Sequence, residues 1–297
     1  MRDVKRKGTD MRISTEINST ARHVGEERAI ELIAKAGFDC WDFSMFQMAP
    51  YDYKNRTILM GDHPLQGSDY AAFAKRLRHI GAECGITCNQ SHAPFPSNSE
   101  QIVPYLLRAI ECTAIAGGRI CVIHPHNDHT AEQNAELYAR LLPFAKECGV
   151  KIATENMWNW DREADEALPA ACSHHDDFVK HLDAVNDPDF VACLDIGHAE
   201  MRGLHTSSRE MILALGDRLQ ALHIHDNDRH RDSHAIPFTM DIDFDDVARA
   251  LAEIGYAGDL TMEADRYVTA PENLERDLDR LAAAAKRFRE TVTGYMR

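Results

Sequence analysis

Eight times along this chain a short apolar run gives way to a loop and then to a stretch of helical periodicity. The apolar runs are MRISTEI (11–17), FDCWDFSMF (38–46), GITCNQSH (85–92), RICVIH (119–124), VKIATE (150–155), FVACLD (190–195), LQALHIH (219–225) and DLTME (259–263). Between them apolar residues recur at helical spacing, as with Ala29, Ile30, Ile33 and Ala36, or Phe73, Leu77 and Ile80. A last such stripe runs through Leu274, Leu278, Leu281, Ala285 and Phe288, behind Pro271 at its start. Gly37, Gly117-Gly118, Gly149 and Gly255 close helical stretches, and Pro94 and Pro125 stop strands. Strands that alternate with helices pair in parallel through right-handed crossovers. Eight such units in 297 residues favour one closed barrel over an open sheet. No GxGxxG or Walker loop argues for a nucleotide-binding open sheet. The expected fold is therefore α/β, a single (β/α)8 TIM barrel over residues 11–297, with a frayed N-terminal arm at residues 1–10. Its active site would lie at the C-terminal ends of the strands. The longest loops, 48–68 and 156–173, would shape the pocket there.

Composition narrows the function classes. A formal net charge of -15 repels a phosphate backbone, which excludes general nucleic-acid binding. No apolar run approaches the roughly 18 residues that a membrane helix needs. The start, MRDVKRKGTD, is charged and lacks the apolar core of a signal peptide. The eight cysteines are scattered with no CxxC pair, as expected for small buried hydrophobes in a reducing compartment, the cytoplasm.

Four of the strand-like runs end on groups that bind cations: Glu155, Asp195, His223 and Glu263. Three carboxylates and one imidazole form a hard, oxygen-rich set suited to a divalent ion. Mn²⁺ fits best, and Mg²⁺, Co²⁺ or Zn²⁺ are also accommodated. More polar groups fall at the same end of the predicted barrel. His92 and His124 end the third and fourth runs, His198 follows Asp195, and Asp232 and His234 follow the seventh run. These five would touch ligand or hold further metal ions. His174, His175, His181, His205 and His230 fall in helices or loops and are expected at the surface. Trp41, Phe43, Phe46, Phe95, Trp158 and Trp160 are expected to line the pocket, where aromatic faces suit the C–H side of a sugar. Few Lys or Arg residues accompany these loops, apart from Arg229 and Arg231, which favours a neutral sugar over a phosphorylated one.

Together the runs SHAPF, VIH, DIGH, HIHD and DSHAIPF, with the glutamates ending the fifth and eighth strands, resemble the xylose-isomerase-like barrel superfamily. That group includes sugar phosphate isomerases/epimerases, ketose 3-epimerases and endonuclease IV enzymes. The resemblance spans about Met11 to Arg289 and is specific for fold and metal site, not for substrate. By likeness to the ketose 3-epimerases, Glu155, Asp195, His223 and Glu263 would hold the metal, and Glu155 and Glu263 would be the catalytic acid/base pair. The same likeness implies substrate contacts from His198, Asp161 and Arg229. Asp161 stands where the family usually carries a longer Glu, which puts its reach in doubt. His92, His124, His234 and Trp158 complete the expected substrate-binding set.

The activity so implied is a metal-dependent sugar isomerase or epimerase. One carboxylate would remove a proton beside a carbonyl, the metal would stabilise the enediolate, and a second carboxylate would return the proton. A homo-oligomer packed through the outer helices is a further family expectation. Two alternatives use the same residues. The first is an endonuclease IV-like multi-zinc phosphodiesterase, since His92, His124, Glu155, Asp195, His198, His223, Asp232, His234 and Glu263 supply a candidate for each of its nine ligands. Against it stand the acidic net charge, the bulky NMWNW run after Glu155, and Phe238 and Met240 where the endonucleases carry glycines. The second is a lyase or C-glycoside-cleaving enzyme that shares the first proton abstraction.

Overall fold

The computed structural model describes residues 11–97 and 99–297, so the arm expected at residues 1–10 lies outside the described residues. Eight parallel strands form the barrel: Ile13–Glu16, Cys40–Ser44, Thr87–His92, Ile120–Val122, Lys151–Glu155, Phe190–Asp195, Leu219–His223 and Leu260–Met262. They are numbered here one to eight in chain order. Each lies beside its sequence neighbour, and the first also pairs with the eighth. The seam between the seventh and eighth strands closes where Ile224 bridges Met262. There Ile224 N donates to Thr261 O (2.9 Å) and Glu263 N donates to Ile224 O (3.0 Å). Strands covered on both faces need apolar residues throughout, and all six residues of the sixth strand are buried.

The outer helices follow the apolar stripes, among them Glu26–Ala36, Ala131–Cys148 and Ser208–Leu215. Ala131–Cys148 opens on a capping box between Thr130 and Gln133 and ends on Gly149 at φ 69°, a left-handed position that glycine adopts without strain. The long loops hold more structure than the periodicity suggested. Short antiparallel hairpins pair Tyr51–Asp52 with Thr57–Ile58 and Trp158–Asp161 with Glu166–Pro169, and a helix, Asn18–Val24, follows the first strand.

Strand alternation decides what the barrel encloses. Ala153, Cys193 and Ala221 pack with Val122 and Val191 in a small apolar cluster. Two residues further along the same strands come Glu155, Asp195 and His223, on the same face. Trp41 and Phe43 instead join the main core, fully buried and edge-to-face at 5.4 Å, with the Trp41 indole against Gly81 of the helix Tyr70–Glu83. Their expected place in the pocket is thus corrected. So is the surface position expected for His181, which is buried between Asn134 and the carbonyl of Asp177. Six of the eight cysteines are buried, all eight are free thiols, and Cys84 is exposed. No helix among the described residues is long and apolar enough to cross a membrane.

One buried carboxylate ties the last loop to the last helix, Leu274–Tyr295. Asp277 accepts from Thr269 N (2.8 Å), Thr269 Oγ1 (2.5 Å) and Arg276 Nη2 (2.9 Å). Burial alone would raise its pKa, but the Thr269 hydrogen bonds and Arg276 outweigh burial and hold it down to about 2. A folded-state pKa below the unfolded value adds stability above the unfolded pKa, and this is lost as pH falls through the folded one. Asp277→Ala is therefore expected to cost about 1.5–3 kcal/mol at neutral pH. In urea titrations the gap to the native chain should narrow between about pH 4 and pH 2; a gap independent of pH would rule the carboxylate out as its source.

Candidate metal centre

Glu155, Asp195, His223 and Glu263 arrive from four consecutive strands, and their ligand atoms all lie within 4.8 Å of one another. His223 Nδ1 sits between two carboxylates, 3.2 Å from Glu155 Oε2 and 3.3 Å from Glu263 Oε2. On its other side Nε2 faces Asp42 Oδ2 at 3.6 Å, and Gln90 Nε2 donates to that same oxygen (2.9 Å). Buried polar atoms normally have hydrogen-bond partners. Here Glu155 Oε2, Asp195 Oδ2 and both His223 nitrogens are buried without one. A set of orphaned oxygen and nitrogen donors at this spacing fits a divalent cation, which would supply the missing partner. His92 and His124 extend the set, with their Nε2 atoms 2.9 Å apart and 3.6 and 3.3 Å from Glu155 Oε2.

A second group lies alongside. Ligand atoms of His198, His225, Asp232 and His234 again fall within 4.8 Å of one another. Asp232 Oδ2 is 3.5 Å from His198 Nε2 and 3.2 Å from His234 Nε2. His225 Nε2 reaches both Asp232 Oδ1 (3.4 Å) and Asp195 Oδ1 (3.1 Å), so it joins the two groups. Local sequence explains the arrangement. Asp195 caps the single turn Ile196–Ala199 by accepting from His198 N (2.7 Å), and His198 Nδ1 is fixed on Asn156 O (2.8 Å). Gly197 in that turn is obligatory, because a Cβ there would lie 1.9 Å from the His225 ring. Asp226 gathers the backbone amides of Thr239 (2.9 Å), Met240 (2.8 Å) and Ile242 (3.1 Å). That cradle holds down the loop carrying Asp232 and His234.

A family model for the xylose isomerase-like TIM barrel matches residues 30–284, most of the chain. The chain belongs to this family. Among curated proteins, the uncharacterized protein MJ1311 of Methanocaldococcus jannaschii is 28% identical over 255 residues, covering 79% of this chain and 78% of that one. Among solved structures, a D-tagatose 3-epimerase-like protein superposes with a TM-score of 0.72 at 20% identity, covering 97% of this chain and all of that one. The D-allulose 3-epimerase from Methylomonas sp. gives 0.67 at 19% identity, covering 94% and 96%. At such identities these likenesses speak for the fold alone.

In this xylose isomerase-like barrel the two glutamates sit in different electrostatic states. Burial opposes ionisation of Glu155, but His223 and His124 hold it well below the usual carboxylate range. Burial, reinforced by the Glu155 charge, pushes Glu263 up to about 7. Burial and the neighbouring His92 push His124 down to about 4. For His198 burial is overcome by Asp195 and Asp232, which raise it to about 10.

The residues expected from sequence divide into three groups. A cavity of about 290 Å³ at the barrel mouth is lined by Glu155, Glu263, His92, His124, His198, Asp232, His234 and Trp158, with Phe46 and Phe95. Asp195 and His223 stand behind that wall. Asp161 and Arg229 are not brought to it. Asp161 accepts from Glu163 N (2.8 Å) and Ala164 N (3.1 Å) at a hairpin tip, and Arg229 faces Glu200 (3.2 Å). Trp160 is likewise corrected away from the pocket, since it packs on Ala167, Met201 and Leu204 beneath Arg231. Two residues escaped the sequence reading. His225 lies two positions after His223 on the same strand face, a period-two signal that was available. Glu16 ends the first strand, lines the cavity and accepts from Ser19 and Ser44. Its signal was the same carboxylate-at-strand-end pattern that marked Glu155.

Proposed function

We propose that this chain is a divalent-metal-dependent isomerase or epimerase of a neutral sugar, moving a proton on a carbon beside a carbonyl. One observation carries the reading. Of the four groups in the first ligand set, only the two glutamates reach the cavity, and in the metal-free chain their pKa values are driven apart. A pair of carboxylates so divided is what acid/base exchange at neutral pH requires. When bound, a divalent cation, Mn²⁺ by preference, supplies positive charge for the oxygen anion that develops on the substrate. Glu155, held ionised, takes the proton from one face of the sugar. Glu263 returns one from the other. His198, held as a cation, and His92 bind the sugar oxygens, and Trp158 covers a C–H face. Asp195 and His223 complete the metal's ligands. No Lys or Arg lines the cavity among the described residues, which favours an uncharged substrate. Solved structures described as ketose 3-epimerases share the fold, which agrees with this reading.

A second reading, a multi-zinc phosphodiesterase, is favoured by the adjoining group His198, His225, Asp232 and His234. The net charge of -15 and the lack of Lys or Arg at the cavity among the described residues weigh against it. Elemental analysis of protein purified without chelator separates the two, together with proton exchange of ketoses in deuterated water. The expected result is about one Mn, Mg or Co per chain and deuterium incorporated beside the carbonyl. Two or three zincs per chain with no exchange on any ketose would replace the isomerase with the phosphodiesterase.

A further inference from the structure

The cavity at the ligand sets does not end at its own wall. Phe95, His124 and Met157 also line a second cavity of about 330 Å³, which continues outward over the fourth barrel strand. Its far side is made by Tyr53, Pro96, Ser97, Asp128 and Asn159. This lining is mixed in a specific way. Tyr53, Phe95 and Pro96 offer apolar faces, and Tyr53 and Phe95 are exposed to 65% and 37%. Asp128 and Asn159 stand at the rim, where Asn159 Nδ2 donates to Asp128 Oδ1 (3.1 Å) and Asn159 Oδ1 accepts from Asn127 Nδ2 (3.1 Å). No Lys or Arg takes part among the described residues. Ser97 Oγ is buried with no hydrogen-bond partner among the described residues. A buried hydroxyl left so costs free energy unless a ligand group completes it.

We infer that the second chamber is a binding subsite for a second sugar ring, so that the substrate is a ketose carrying a glycosidic substituent. The inference rests on the sugar reading of the first chamber. A pyranose has the two properties that this lining asks for, an apolar C–H face to lie on an aromatic side chain and hydroxyls for side-chain amides, carboxylates and an unpartnered serine. A phosphate would find no Lys or Arg there, and a wholly apolar group would leave Ser97 Oγ without a partner. The two cavities meet at His124, so the glycosidic oxygen would pass beside this imidazole.

Calorimetric binding of maltulose and of fructose to the full chain loaded with Mn²⁺ tests the subsite without calling on turnover. Maltulose is expected to bind at least ten-fold more tightly than fructose. Asp128→Trp, which fills the exposed rim of the chamber, should abolish that difference. Ser97→Ala, a smaller change that the fold tolerates, should reduce it. Equal affinity for the two sugars, binding of neither, or a difference that survives in both variants would overturn the subsite. Proton exchange in deuterated water is read on the same samples. Tighter maltulose binding without exchange on either sugar would retire the isomerase reading and leave the second chamber standing.

Discussion

Glu263→Gln is expected to fold normally and to lose turnover by about 10²–10⁴-fold, the range that a positioned acid/base group contributes. The amide keeps the volume and polarity of the side chain but neither takes nor gives a proton. Burial already pushes the Glu263 carboxyl up to about 7, so its charged form is disfavoured in the folded chain. In chelator, where no cation contributes, removing that charge should leave the melting temperature unchanged or slightly raised. The expected signature is thus lost activity with retained stability of the metal-free fold, read by deuterium exchange on a ketose with Mn²⁺ and by thermal unfolding in chelator. Turnover within a few-fold of the native chain would remove Glu263 from the proton-transfer role.

Chelation of the bound cation is the second large effect. Without a cation, Glu155 Oε2, Asp195 Oδ2, Asp232 Oδ1 and the ring nitrogens of His223 are buried and unpartnered. A ligand that binds only the folded state at about 100 times its Kd adds roughly 2.7 kcal/mol. For a domain of this size that corresponds to about 4–5 °C in melting temperature. Dialysis against a chelator should therefore abolish activity and lower Tm by that amount, and added Mn²⁺ should restore both. Glu155→Ala should no longer respond, because Glu155 Oε2 is approached by His92, His124 and His223 alike. A melting temperature indifferent to chelator and to millimolar Mn²⁺ would sink the metal centre as drawn.

The barrel itself was legible in the chain. Parallel strands buried on both faces must be apolar along their length, and helices covering them must carry a stripe of period 3.6. The sixth strand, Phe190–Asp195, accordingly stands at the bounds that periodicity gave, and the last helix buries the stripe Leu274, Leu278, Leu281, Ala285 and Phe288. Glu155, Asp195, His223 and Glu263 were legible for a related reason. A charged group at the end of an apolar run is costly to bury unless it is paired, so its place at the active end of a barrel carries meaning. The loops were less readable, because their hairpins are short and their pairing is settled by the barrel beneath them. Asp161 shows the consequence, since its carboxylate closes a hairpin turn instead of reaching the cavity.

Sequence alone therefore determined the number of βα units, their order, and the residue types gathered at one end of the strands. Local periodicity and side-chain chemistry suffice for that. Which of those residues reach the cavity, which stand behind it, and how the two ligand groups meet at His225 were decided only by the tertiary structure. The position of Trp41 in the core and of Trp158 at the cavity was decided in the same way. Such outcomes depend on distances between side chains far apart in the chain. Barrel closure and the loop anchored on Asp226 set those distances, and no local pattern encodes them.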